Sequence, residues 1–120
     1  MKKIRLIFLF LTLFSCSKDQ VASYVKRPLG CDSTSFYFQK NILPIFNSSC
    51  NFDECHGSGG LGSYDFTDYA VVVNRVKSGS IEYRLGLPLD DPQHMPEHMR
   101  LNDCDYFIIK TWIQQGFPEK

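Results

Sequence analysis

Prolines at 88, 92 and 96 deny the stretch from Gly86 to Arg100 any long helix, because each removes a backbone donor and crowds the preceding turn. A second interruption lies upstream, where Ser48-Ser49-Cys50-Asn51-Phe52-Asp53-Glu54-Cys55-His56-Gly57-Ser58-Gly59-Gly60 is too rich in glycine and small polar residues for regular structure. Between and around these loops there is room for about three helices. Asp32 or Ser33 reads as the N-cap of the first, whose apolar residues Phe38, Ile42, Ile45 and Phe46 recur at the spacing of one buried face. Pro44 predicts that this helix stops at about Leu43 in a tight turn. The second helix should start near Thr67, run through Tyr69, Val72, Val73 and Val76, and stop before Ser78-Gly79. Asn102 caps the last, Asp103 and Asp105 sit in its first turn where the dipole favours acids, and Gly116 ends it. Ile108 with Trp112, and Tyr106, Ile109 and Ile113, give that helix a wide apolar face. The expected fold class is all-α, a small domain of about three helices and long loops, with a core thin enough to need a staple or a buried group.

The chain begins Met1-Lys2-Lys3-Ile4-Arg5 and continues in an almost unbroken apolar run from Leu6 to Phe14, the layout of a secretory signal. That run is too short to span a bilayer as a helix. It ends in Leu13-Phe14-Ser15-Cys16, which resembles the lipobox of bacterial lipoproteins, in which the cysteine becomes the lipidated first residue of the mature chain. The expected division is therefore a signal peptide over residues 1–15, a lipidated tether over 16–30 and a domain over 31–120, with Cys16 as the membrane anchor. Ser17 in place of an aspartate after the anchor points to an outer-membrane lipoprotein, on its periplasmic or cell-surface side. Loss of residues 1–15 removes three of the 13 basic residues and none of the 13 acidic ones, leaving a formal charge of −3. A mildly acidic domain lacks the footprint of a nucleic-acid binder, so that class is excluded.

Cys50, Cys55 and His56 form C-x4-C-H, which differs from the C-x-x-C-H signature of c-type haem attachment only by two extra residues between the thiols. Two thioether bonds would join the cysteines to the haem vinyl groups, and a histidine directly after the second thiol is placed to ligate the iron. Met95-Pro96 supplies a thioether ahead of the terminal helix, and His/Met ligation raises the reduction potential. His94 and His98 flank Met95 and offer bis-His ligation instead. Two other uses of the same residues stay open. One is a zinc site made by Cys50, Cys55, His56 and either His94 or His98; the other is a disulfide between Cys50 and Cys55.

The chain resembles the small monohaem c-type cytochrome domains of bacterial lipoproteins, related to class I cytochromes c. The resemblance runs through Phe38 to Phe46, Ser49-Cys50, Cys55-His56-Gly57, Gly60 to Tyr64, Ser78-Gly79-Ser80, Met95-Pro96, Leu101 and Trp112-Ile113-Gln114-Gln115-Gly116. It implies a helical bundle around a covalent haem c, with Cys50 and Cys55 carrying the haem, His56 as proximal iron ligand and Met95 as distal ligand. It implies an electron carrier with redox partner proteins and no catalytic residues. The departure from the family is the four residues Asn51-Phe52-Asp53-Glu54 between the thiols, where most members have two. Trp112, Phe46 and Phe38 are candidates for the apolar wall of the haem site and equally for ordinary helix packing, which is the favoured role for Phe38. A haem-free exported lipoprotein with a structural zinc or disulfide is the alternative, and a small haem peroxidase using Glu97 and His98 is the second.

Cys31 precedes the first helix and Cys104 lies in the first turn of the last, so in an oxidising compartment a disulfide between them would tie the two ends of the domain together.

Overall fold

A computed structural model of the chain describes residues 26–32, 34–57 and 59–120. The expected signal peptide, the expected anchor Cys16 and most of the expected tether lie outside the described residues. Among these residues there are four α-helices and no strands, so the domain is all-α.

The first helical element departs from expectation at both ends. A π-helical turn over Phe38–Ile42 runs directly into α1, Leu43–Ser49, so Pro44 does not stop the helix. Proline is expensive where its ring meets the carbonyl four residues back. Here the backbone widens to a π-turn just upstream, and Pro44 falls in the first turn of α1, where no donor is required. The element also starts later than Asp32 suggests, because Phe36 is buried and the chain stays extended through Tyr37. Tyr37 offers no side-chain cap, and the amides of Phe38 and Gln39 donate instead to the carbonyls of Pro118 at 2.9 Å and Glu119 at 3.2 Å. The buried face follows the predicted spacing: Phe38, Ile42, Ile45 and Phe46.

Helix α2, Tyr69–Lys77, starts two residues after Thr67, because the Asp68 carboxylate accepts from the amides of Ala70 and Val71. Val72 and Val76 seat it in the core. Sequence reasoning missed α3, Ser80–Gly86, which follows a left-handed Gly79 (φ 75°) and buries Ile81. The proline-bearing segment from Leu87 to Asn102 is a loop, as expected. Helix α4, Asp103–Gln114, has the expected cap: Asn102 Oδ1 accepts from the Asp105 amide at 2.9 Å, and its Nδ2 donates to Asp105 Oδ2 at 2.7 Å. Gly116 leaves the helix at φ 81°. The most deeply buried residues of α4 are Phe107, Ile109 and Trp112, with Ile108, Ile113 and Tyr106 half-buried beside them.

Trp112 is the centre of the core: fully buried, tilted against Phe38, edge-on to Phe117, and donating from Nε1 to the Pro118 carbonyl. Phe38 also meets Tyr69 edge-on, so one ring from the π-turn bridges α4 and α2. A Lys110–Glu82 ion pair ties α4 to α3. Cys31 and Cys104 are joined by a disulfide with Cα atoms 5.7 Å apart, which fastens the entry segment to the first turn of α4.

Candidate functional site

Cys50 is the C-cap of α1, its amide donating to the Phe46 carbonyl at 2.7 Å. Asn51 still donates from its amide to the Phe46 carbonyl at 2.8 Å, and the chain from Phe52 to Cys55 then forms a single turn, closed by the Cys55 amide on the Phe52 carbonyl at 2.8 Å. This turn doubles the chain back, and the His56 amide meets the Cys50 carbonyl at 3.1 Å. The extra pair of residues is thus absorbed as a bulge while the histidine stays next to the first cysteine. Cys50 is half-buried and Cys55 exposed, and both are free thiols. Burial, with a smaller contribution from the neighbouring Cys55, pushes the Cys50 thiol up to about 12.

The His56 ring is held on several sides. Its Nδ1 lies 3.0 Å from the Tyr64 carbonyl. A carbonyl only accepts, so in the neutral ring Nδ1 carries the proton and Nε2 keeps its lone pair, the arrangement a metal-ligating histidine requires. Phe66 stacks on the ring with centroids 4.3 Å apart and planes 11° apart, and Phe66 in turn packs on Phe46 of α1. The segment 60–66 folds over Cys55 and His56: the Gly62 amide donates to the Cys55 carbonyl at 2.8 Å and the Phe66 amide to the His56 carbonyl at 3.2 Å. Glycine is required where this segment comes closest. A Cβ on Gly60 would stand 2.3 Å from the Cys55 carbonyl oxygen, and one on Gly62 would stand 2.6 Å from His56 Nδ1.

The second loop holds the other sequence candidates. Met95 is half-buried, and its amide donates to the Arg84 carbonyl at the end of α3. His94 is buried with Nδ1 2.9 Å from the Leu87 carbonyl and Nε2 3.1 Å from the Met99 carbonyl. Both its nitrogens face backbone carbonyls of the loop, so as placed neither is turned toward a ligand. His98 is exposed and faces Glu97 at 3.4 Å. No group of three or more His, Cys, Asp or Glu side chains among the described residues could hold a metal ion, so Cys50, Cys55 and His56 are not gathered with His94 or His98 into a zinc site.

Large apolar side chains are exposed mainly on these two loops. Phe52, Leu61 and Tyr64 project from the first, and Leu89 and Met99 from the second. Trp112, Phe46 and Phe38 are core residues in this arrangement. Sequence reasoning missed Phe66 and Arg75, whose guanidinium lies 4.1 Å over the Tyr64 ring. No family model matches the chain, and neither a curated protein nor a solved structure matches it.

Proposed function

We propose that the chain is a lipid-anchored monohaem c-type cytochrome that carries one electron between partner proteins. The observation that carries this reading is the C-x4-C-H loop, whose turn brings the His56 amide onto the Cys50 carbonyl, together with the Tyr64 carbonyl of the covering segment, which engages Nδ1 and leaves the Nε2 lone pair available. The donor set fits the group: two free thiols for the vinyl carbons, an imidazole in the ligating tautomer, and a thioether at Met95. The apolar surface exposed on the two loops is of the kind that a haem face would cover. When bound, the haem iron supplies the one-electron couple. The residues of this chain that would hold it are Cys50 and Cys55, by thioether bonds, with His56 and Met95 as the iron ligands. With Cys16 lipidated the domain would be tethered to the outer membrane rather than inserted in it.

The test is the pyridine haemochrome spectrum of the mature protein, produced with a c-type haem maturation system, alongside Cys55→Ala. A bis-thioether band that is lost or shifted in the variant is expected. Folded protein without haem, matured beside a positive control, would overturn the reading and leave a haem-free structural lipoprotein. A haem that is high-spin and binds carbon monoxide readily would favour the peroxidase instead.

A further inference from the structure

The geometry points to Arg75 as a positioning residue for His56, acting through Tyr64, an inference that rests on His56 being the proximal ligand. Helix α2 is fixed in the core by Val72 and Val76, which carries Arg75 on a rigid element. The Arg75 guanidinium lies 4.1 Å over the Tyr64 ring and is itself oriented by a 2.7 Å hydrogen bond to Asn74 Oδ1. Tyr64 belongs to the irregular segment that folds over the thiol loop, and its backbone carbonyl receives His56 Nδ1. The stacked cation therefore pins the peptide that sets the ring's tautomer and angle. Gly62 shows how little room the arrangement has, since a methyl group there would stand 2.6 Å from the same nitrogen.

A proton on Nδ1 donated to a carbonyl makes the imidazole a stronger electron donor through Nε2, which favours ferric iron and lowers the reduction potential. Arg75 thereby tunes the carrier without touching the haem ligand. Losing the cation loosens Tyr64, weakens that hydrogen bond and raises the potential.

The experiment compares wild type with Arg75→Ala, Arg75→Lys and Gly62→Ala. In ferrous holoprotein, the expected result for Arg75→Ala is exchange of the His56 Nδ1 proton with solvent faster by roughly tenfold, the loss of one hydrogen bond of ordinary strength. Its midpoint potential should rise, and Gly62→Ala should shift it the same way. Arg75→Lys, which keeps a cation for the ring, should return both readouts toward wild type. If the protein carries no haem, the proposed function fails separately, and the nitrogen-15 shifts of the His56 ring still decide whether Arg75→Ala moves the ring from the Nδ1–H tautomer. Arg75→Ala that leaves proton exchange, tautomer and potential unchanged overturns the inference, whatever happens to its melting temperature.

Discussion

Replacing Cys31 and Cys104 together by alanine removes the bond that joins the entry segment to α4. The disulfide spans 73 residues, and a loop of that length restricts the unfolded chain enough to contribute about 4 kcal/mol at 25 °C in the chain-entropy model. Cys31 is also buried at 4% exposure among the core residues, so losing its sulfur adds about 1 kcal/mol of lost apolar burial. Against a net stability of roughly 5–15 kcal/mol for an ordinary domain, this is a third or more of the total. The expected fall in melting temperature is about 20 °C or more, since a domain of this size loses several degrees for each kcal/mol. Urea unfolding followed by far-ultraviolet circular dichroism measures the change. The midpoint should fall and the slope should rise, because the uncrosslinked chain exposes more surface on unfolding. A loss below about 1 kcal/mol with an unchanged slope would refute the reasoning. It would mean that non-covalent ties, such as the Phe36 amide on Gln115 Oε1 and Gln115 Nε2 on the Thr34 carbonyl, already hold the two ends together.

Trp112→Ala should cost about 3–5 kcal/mol, because it empties the fully buried centre of the core and leaves the Pro118 carbonyl with the Phe38 amide alone; the same urea assay checks it, and a cost under 1 kcal/mol contradicts the assigned core. Asn102→Ala should cost about 1 kcal/mol by releasing the Asp105 amide, read as a lower urea midpoint. In chain produced without haem maturation, iodoacetamide at pH 8 should modify the exposed Cys55 well before Cys50, with peptide mass spectrometry locating the adduct. The raised Cys50 pKa also fixes a sign. The folded state holds that proton more tightly than the unfolded chain, so its contribution is complete below the ordinary value of 9.0 and is lost as pH rises toward about 12. Equal alkylation of both thiols would contradict the burial of Cys50.

Local signals made α4 legible from sequence, because Asn102, the two early aspartates and Gly116 act on backbone groups within a turn of themselves. The Asp68 cap of α2 acts just as locally but was not read, so that helix was expected to begin near Thr67. Helix α3 was hidden because Ser78-Gly79-Ser80 reads as a stop, whereas Gly79 in its left-handed conformation turns the chain and restarts it. The start of the first helical element was hidden for the opposite reason: its amides find their partners at Pro118 and Glu119, some eighty residues away, and no nearby residue signals that. Pro44 was overweighted, since the rule against proline assumes an α-helical turn ahead of it and this chain supplies a π-turn. At the candidate site, the order of Cys50, Cys55 and His56 was readable, but the group that orients the imidazole is a backbone carbonyl, which has no side-chain signature. Arg75 reaches Tyr64 only because α2 is seated against the core, which periodicity cannot convey.

The hydrogen bonds from Phe38 and Gln39 to the carbonyls of Pro118 and Glu119 bear on how the chain matures. A polypeptide is made from its amino end. The first turn of this domain would then wait with bare amides until residues 118 and 119 emerge. Trp112 and Tyr69 wait on the same stretch, through their bonds to the Pro118 and Phe117 carbonyls. The first turn and the Trp112 core can therefore close fully only once residues 117–119 are available, and until then the thiols of Cys50 and Cys55 would stay accessible. On the proposed function, an enzyme that attaches haem to both sulfurs would have that interval in which to act.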